Sequence, residues 1–294
     1  MHHYNCYGLH AVFDRPSELF APWQEEDGPV DVRLRHEVVP RQPKFAVAHW
    51  DEEGVTLRRP PGSFLQVRGG DEVIVDEDFA VRRGCPVGKA MRFALPALIH
   101  QRGGVLLHAS AVSTRGRAVV FLAPSRTGKS TLTVALGRRG FHPVADDILG
   151  VIPSPEGVRL IGWERVMRLR HESVVYFTNA ASPGEEGATG AGHRMPLFAQ
   201  AERAPIIAAF VALRRVAGTA EPVVSPLPVE EAKRRLLPQI RIPVVARNIV
   251  RSNAADLMAG WLAEQTVVGM DMPDGWQNYQ QALDMAAAHL RKLC

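Results

Sequence analysis

The stretch AVVFLAPSRTGKSTLTVALGRRGFHPVADD, residues 118–147, decides the fold of this chain. An apolar run leads into APSRTGKS, a helix-favouring run follows, and a second apolar run ends in two aspartates. A glycine, a lysine and a hydroxyl residue between a strand and a helix are typical of a phosphate-binding loop, because backbone N–H groups and the positive helix end attract anions. The stretch therefore predicts strand, phosphate loop, helix and strand within an α/β fold.

The loop supplies the predicted phosphate-binding residues. These are Ala123, Pro124, Ser125, Arg126, Thr127, Gly128, Lys129, Ser130 and Thr131. Lys129 can neutralise the charge of the β- and γ-phosphates, and the hydroxyl of Ser130 can bind magnesium. Arg126 stands where such loops commonly have a second glycine. Its guanidinium either reaches the γ-phosphate or is simply solvated.

Asp146 and Asp147 end the strand that follows the helix. Adjacent side chains of a strand point to opposite faces, so we expect the two acids to have different tasks. One can reach the metal or its water shell, and the other can accept a proton from an attacking hydroxyl. The alternative is that the pair only ends the strand and caps the next segment.

A histidine lies in the strand that precedes the loop strand. GVLLHASAV and RAVVFLAP, joined by STRG, predict a β-hairpin. A turn centred on Arg115 places His108 opposite Leu122, at the mouth of the loop. We therefore take His108 as a catalytic candidate that orients phosphate or an acid. The alternative is a histidine that is satisfied within an apolar strand.

The rest of the chain divides into two predicted domains. Residues 1–92 hold short apolar pieces separated by Pro and Gly, which is typical of a small β-rich domain. Residues 93–294 are predicted to form the catalytic domain, which ends in helices. Within it, residues 178–205 are rich in Gly, Ala and charge and are predicted to be either a substrate loop or disordered.

Composition excludes several classes of protein. The chain has 294 residues, 46% of them hydrophobic, and a formal net charge of +4 without a run of five like charges, so no nucleic-acid partner is expected. No apolar run is long enough for a membrane span, and we expect a cytoplasmic protein without a membrane partner. Cys6, Cys85 and Cys294 are far apart and are predicted to be free thiols. The sequence leaves a homo-oligomer open.

Three segments carry a family resemblance. GVLLHASAV, FLAPSRTGKST and GFHPVADDILGVIP resemble, in the same order, the C-terminal domain of the HPr serine kinase/phosphorylase family. The opening NCYGLHAVFDRPSEL is similar to kinases encoded with ribosomally made peptides, most of all to lasso-peptide precursor kinases. The resemblance implies a phosphoenolpyruvate-carboxykinase-like α/β fold with a P-loop core. It also implies ATP and Mg²⁺ as cofactors and a peptide or protein serine as phosphate acceptor, above all the C-terminal serine of a lasso-peptide precursor.

The same resemblance implies the roles of the site residues. Asp146 takes the acceptor proton, while Asp147, together with Ser130, holds magnesium. Lys129, taken from the loop pattern, and His108, taken from the hairpin register, complete the predicted catalytic set. Two alternatives remain open: a kinase that acts on HPr or a small alcohol, and a nucleotide-binding regulatory or assembly protein with weak or no transfer activity.

Overall fold

The computed structural model describes residues 1–39, 48–59, 63–77, 87–162, 166–169, 171–178, 193–196, 204–241 and 254–294. These residues form a mixed α/β fold, as the sequence predicts. Most of the 178–205 segment lies outside the described residues, and so does Cys85. Cys6 and Cys294 are free thiols.

The first sheet belongs to the N-terminal part of the chain. Its seven strands among the described residues are β1 (His2–Cys6), β2 (Leu9–Phe13), β3 (Val32–Glu37), β4 (Ala48–Trp50), β5 (Gly54–Arg59), β6 (Ser63–Arg68) and β7 (Glu72–Asp76). Their order across the sheet is β1-β2-β3-β7-β6-β5-β4. A short 3-10 helix, Ala21–Trp23, follows β2.

The later strands form a larger sheet and a two-stranded ribbon. In chain order they are β8 (Val105–Leu107), β9 (Ala109–Thr114), β10 (Arg117–Leu122), β11 (His142–Ala145), β12 (Leu149–Ser154), β13 (Gly157–Ile161), β14 (Val166–Leu169), β15 (His193–Pro196), β16 (Ile206–Val216), β17 (Val223–Pro226), β18 (Ile240–Arg241) and β19 (Thr266–Pro273). Strands β14 and β15 form the ribbon, and the others form the sheet in the order β11-β9-β10-β16-β13-β12-β8-β18. Strand β19 pairs with β16 and β17.

The α-helices include one directly after the loop and others in the C-terminal part of the chain, as the sequence predicts. Those of the described residues are α1 (Val87–Gln101), α2 (Lys129–Gly137), α3 (His171–Thr178), α4 (Val229–Leu236), α5 (Ala254–Glu264) and α6 (Tyr279–Leu293). Helix α1 contains Pro96 and spans the domain boundary expected at residues 92 and 93. Its buried Met91, Leu95 and Leu98 join one hydrophobic core with residues of the first sheet.

Helix α2 positions the phosphate loop against the larger sheet. Leu132, Ala135 and Leu136 form the apolar face of this helix and are buried. They pack in one core with residues of β16, β19 and α6 such as Leu213 and Leu283. Burial of this face holds the start of the helix, and therefore the loop before it, at a defined place on the sheet.

The direction of the strands gathers distant segments at one edge. Strand β16 runs parallel to both β10 and β19. Strand β9 is antiparallel to both β10 and β11, so β11 runs in the direction of β10. The carboxyl ends of β10, β11, β16 and β19 and the beginning of β9 therefore meet at the same edge, where ligands bind in open α/β sheets.

The predicted register of the β9–β10 hairpin is wrong by one residue. The turn consists of Arg115 and Gly116, which have φ angles of 53° and 73°. A two-residue turn of this kind has its centre between these residues and not at Arg115. Leu122 consequently pairs with Ala109 and not with His108. GVLLHASAV is also not one strand, because β8 pairs with β12 while β9 pairs with β10.

Candidate active site

A cavity of about 540 Å³ lies at this edge of the sheet. It is lined by residues from seven segments of the chain: His108; Ser125, Arg126, Thr127, Gly128, Lys129, Ser130 and Thr131; Asp146 and Asp147; Leu169; Glu172 and Ser173; Arg215; and Asp274, Gly275 and Trp276. Every site residue predicted from the sequence except Ala123 and Pro124 therefore faces one space. These two belong to the same loop, immediately before Ser125.

Two residues of the phosphate loop have left-handed backbone conformations. Gly128, which precedes helix α2, has φ 95°, and Arg126 has φ 72°. Glycine is common at the position of Arg126 in such loops because it adopts this conformation without strain. A Cβ atom at Gly128 would lie 2.7 Å from Nη2 of Arg215, so a larger residue would displace this guanidinium in addition to straining the backbone.

Lys129 is buried at the base of the loop. Its Nζ donates hydrogen bonds to the carbonyl oxygens of Ala123, at 2.7 Å, and Pro124, at 3.2 Å. Burial lowers the pKa of Lys129 to about 8, although the nearby carboxylates of Asp146 and Asp147 favour its charged form. The ammonium group is thus fixed at the start of the loop, where it faces the cavity.

Asp146 is the buried member of the acid pair. Its side chain is almost inaccessible to solvent, and Oδ1 accepts hydrogen bonds from the hydroxyls of Ser110, at 2.6 Å, and Ser130, at 2.8 Å. Strand pairing explains the first contact, since Ala145 pairs with Ala111 beside Ser110. Ser130 therefore contacts Asp146, whereas the resemblance implies that Asp147 holds magnesium together with Ser130.

Asp147 has the opposite surroundings. Its backbone turns into the left-handed region, with φ 69°, and its side chain is 54% exposed. Oδ1 lies 3.1 Å from Nδ1 of His108. The turn of the backbone directly after β11 directs the two neighbouring carboxylates to different places, one into the protein and one toward solvent.

His108 connects the loop to the exposed acid. It lies at the break between β8 and β9, where its backbone N–H donates to the carbonyl of Gln239 at 2.7 Å. Nδ1 is 2.9 Å from the backbone oxygen of Asp147, and Nε2 is 3.1 Å from Nζ of Lys129. An imidazole protonated at Nδ1 donates to Asp147 and accepts from Lys129, which satisfies both ring nitrogens.

Sequence reasoning missed Ser110, Arg215 and Trp276. Arg215 is the penultimate residue of β16, and its Nε–H donates to the backbone oxygen of Thr127 at 3.2 Å, so it helps to hold the loop in place. The adjacent Arg214 and Arg215, at the end of an otherwise apolar predicted strand, could have indicated an arginine near the site. Trp276 follows β19, whose sequence TVVGMDMP lacks a clear alternating pattern and was not predicted as a strand.

The residues at the loop fit magnesium. The Ser130 hydroxyl and the Asp146 carboxylate are adjacent oxygen donors, which Mg²⁺ prefers. Among the described residues, no group of three or more His, Cys, Asp and Glu side chains is arranged to hold a metal ion. Magnesium sites of phosphoryl-transfer proteins have one or two protein ligands, with nucleotide phosphates and water completing the coordination.

No helix in the described part of the chain is long and apolar enough to cross a membrane.

Comparison with known proteins shows similarity to solved structures only at low sequence identity. No protein-family model matches the chain, and no curated protein matches it. Among solved structures, the chain is similar to the Hpr(Ser) kinase/phosphatase from Coxiella burnetii, with 12% sequence identity and a TM-score of 0.31. The similarity covers 64% of this chain and 97% of that one. A similarity this distant assigns the chain to no family.

Proposed function

We propose that this protein is a magnesium-dependent kinase that transfers the γ-phosphoryl group of ATP to a serine hydroxyl of a peptide or protein. One observation carries the proposal: a single cavity is lined by a phosphate loop, by the hydrogen-bonded pair Ser130 and Asp146, and by a second acid, Asp147, beside His108. A protein that only binds nucleotide needs the loop, but it does not need a separate exposed acid next to it.

The buried residues are suited to binding the nucleotide. Backbone N–H groups of the loop and the start of α2 attract the phosphates, and the ammonium of Lys129 balances the charge at the β- and γ-positions. Ser130 and Asp146 would hold magnesium. When bound, the ion neutralises charge that develops on the phosphoryl oxygens.

Asp147 is the better candidate for the acceptor proton. An acceptor can reach its exposed carboxylate, whereas Asp146 is enclosed by two hydroxyl donors. In the transfer, the serine oxygen bonds to the γ-phosphorus, the bond from phosphorus to the β,γ-bridging oxygen breaks, and ADP leaves. Asp147 accepts the serine proton. We therefore assign the two acids in the order opposite to the one that the resemblance implies.

His108 is suited to keep Asp147 in place. Its Nδ1–H faces Asp147 while Nε2 accepts from Lys129, so one imidazole ties the proton acceptor to the phosphate-binding lysine. This contact sets the distance between the acid and the γ-phosphate. Positioning of this kind accounts for much of the rate in phosphoryl transfer.

For the acceptor we propose the C-terminal serine of a lasso-peptide precursor. Support comes from the opening segment NCYGLHAVFDRPSEL, which resembles such kinases. Asp147 is also on the open side of the site, where a chain end can approach it.

The test is a transfer assay with matched acceptors. The protein is incubated with ATP and Mg²⁺ and with a lasso-precursor peptide that ends in serine, the same peptide ending in alanine, HPr, or glycerol. Mass spectrometry should show one added phosphoryl group on the serine peptide alone. The Lys129→Ala variant should remain folded and leave every acceptor unchanged, since it lacks the charge that binds the phosphates.

The other outcomes identify the alternatives. Phosphorylated HPr or glycerol with an unmodified peptide would keep the kinase and replace its acceptor. If ATP binds but no acceptor is modified, the protein is a nucleotide-binding regulatory or assembly protein.

A further inference from the structure

An aromatic cluster surrounds Trp276, which lines the cavity. Trp276 stacks on Tyr176, with ring centroids 4.1 Å apart and an interplanar angle of 21°. Phe177 and Tyr279 contact the same indole edge to face, with centroids at 6.4 Å and 5.2 Å. Contacts with three rings hold the indole in one orientation before any ligand binds.

The indole is nevertheless not buried. Trp276 is 36% exposed and lines the cavity, whereas its neighbour Tyr279 is 1% exposed. Among the described residues, no second ring stacks on the indole opposite Tyr176. Core packing accounts for Tyr279, whereas Trp276 keeps exposed surface inside the cavity, where a ligand can reach it.

The position of Trp276 relative to the loop follows from two contacts. The hydroxyls of Thr131, at the end of the loop, and Ser173, on α3, are 2.9 Å apart. Tyr176 comes three residues after Ser173 and therefore lies on the same face of α3, one turn further along. The indole that stacks on Tyr176 is thus one helical turn beyond the contact between α3 and the loop.

The acids lie elsewhere around the loop. Ser130 contacts Asp146, and Lys129 contacts His108, which holds Asp147. If the γ-phosphate lies beside Lys129 and the acids, the rest of the nucleotide must extend away from them. The cavity offers the α3 side, where Trp276 lies, for this purpose.

We infer that the indole of Trp276 binds the nucleobase of ATP by stacking, with Tyr176 as the ring that supports it from behind. This inference rests on the proposed function, since it specifies how the same site binds its nucleotide. A flat, fixed aromatic surface binds a base at low entropic cost, because the ring loses little freedom when the base arrives. Inorganic tripolyphosphate has no base, so its binding should not depend on Trp276.

The experiment compares ATP with tripolyphosphate by calorimetry in the presence of Mg²⁺. Trp276→Leu should weaken ATP binding roughly 5- to 150-fold, the usual worth of stacking one base. The affinity for tripolyphosphate should stay at the wild-type value. Trp23→Leu is the matched control, because Trp23 lies in the 3-10 helix next to the first sheet, and it should change neither affinity.

A second variant keeps the packing. Trp276→Phe retains a ring against Tyr176 and should bind ATP with most of the wild-type affinity. In the wild type, ATP should quench tryptophan emission more than tripolyphosphate does, and this difference should disappear in Trp276→Phe. The Phe variant decides the question if the Leu variant does not fold.

The other possible results would contradict either the role of Trp276 or the proposed function. Equal ATP affinity in Trp276→Leu and wild type, or an equal loss of both ligands in a folded Leu variant, would show that the indole has a structural role only. A wild type that binds neither ligand would overturn the proposed function and this inference with it. A wild type that binds ATP through Trp276 but transfers nothing would overturn only the kinase.

Discussion

The floor of the cavity, formed by the buried Lys129 and Asp146 and the half-buried Ser130, differs from its open rim, formed by Arg126 and Asp147. Lys129 and Asp146 are 6% and 3% exposed, whereas the side chain of Asp147 is 54% exposed and Arg126 lies at the surface. Floor residues are hydrogen-bonded to fixed atoms of the protein, so they are suited to binding. Rim residues are accessible to a second molecule, so they are suited to reacting with it.

The two regions also differ in their energetic cost. The floor contains buried ionisable groups, which burial destabilises in their charged form. The rim contains strained backbone, since Arg126 and Asp147 both have positive φ angles, at a cost on the order of 1 kcal/mol each. Substitutions in the floor should therefore change affinity and its pH dependence, and those in the rim should change transfer rate or stability.

The largest effect is expected at the rim acid. Asp147→Asn should lower the transfer rate by about 10² to 10⁴, the usual worth of a positioned proton acceptor, and leave ATP affinity nearly unchanged. Single-turnover transfer and calorimetry measure the two quantities. The floor–rim assignment is wrong if Asp147→Asn transfers normally while Asp146→Asn binds Mg-ATP normally and loses transfer.

The next effect is expected at the floor acid. Asp146→Asn should weaken Mg²⁺-dependent ATP binding roughly 10- to 100-fold, the range for a lost hydrogen bond or contact to a charged group. Binding without Mg²⁺ should change little, because the amide still accepts from Ser110 and Ser130. Titrations with and without Mg²⁺ measure the Mg²⁺-dependent and the Mg²⁺-independent part of ATP binding separately. Equal weakening in both would mean that Asp146 supports the loop and not the metal.

A smaller effect is expected from the pH dependence of Lys129. Its pKa is lowered to about 8, so it is charged below that pH and neutral above it. Bound phosphate favours the charged form and raises this pKa, so the affinity should be full below about pH 8 and fall as the pH rises through it. Above that pH, tripolyphosphate should lose affinity by up to about tenfold per pH unit.

The measurement is tripolyphosphate affinity at about pH 7 and about pH 9, with Lys129→Ala as the control. The variant should bind weakly with little difference between the two pH values. A wild-type affinity that stays constant up to about pH 9 would contradict the low pKa of this lysine.

The smallest effect is expected at Arg126. Arg126→Gly should stabilise the ligand-free protein by about 1 kcal/mol, because glycine relieves the left-handed backbone strain. Arg115→Gly is the matched control, since Arg115 also has a positive φ but lies in the β9–β10 turn. The temperature of thermal unfolding should rise in both variants. If the guanidinium also reaches the γ-phosphate, only Arg126→Gly should slow transfer, and an equal or faster rate would limit Arg126 to a structural role.

Local sequence patterns predicted the elements around the loop. The strand before it, helix α2 and the short strand before Asp146 could all be located, because each depends on residues close in sequence. Strand β19 was missed, since Gly269 and Asp271 interrupt its apolar pattern. With the strand, the position of Trp276 was missed as well, and the cavity could not be predicted to have an aromatic side chain in its lining.

The relation between the acids and their neighbours was also beyond local reasoning. Alternation along a strand indicates that Asp146 and Asp147 differ, but it does not say which one meets Ser130. That depends on the pairing of β11 with β9, which brings Ser110 to Asp146, and on the left-handed turn at Asp147. Both are properties of neighbouring strands and backbone geometry and not of the residue types.

By itself, the sequence determined the α/β class, the strand–loop–helix segment that carries Lys129 and Ser130, and the presence of two acids close to it. These depend on short-range spacing and on residue chemistry, which are visible along the chain. Only the tertiary structure decided that Asp146 is buried against Ser130, that His108 joins Lys129 to Asp147, and that Trp276 faces the same cavity. Strand order and direction bring these distant segments to one edge, and hydrogen bonding between strands, which sequence neighbours do not specify, sets that order.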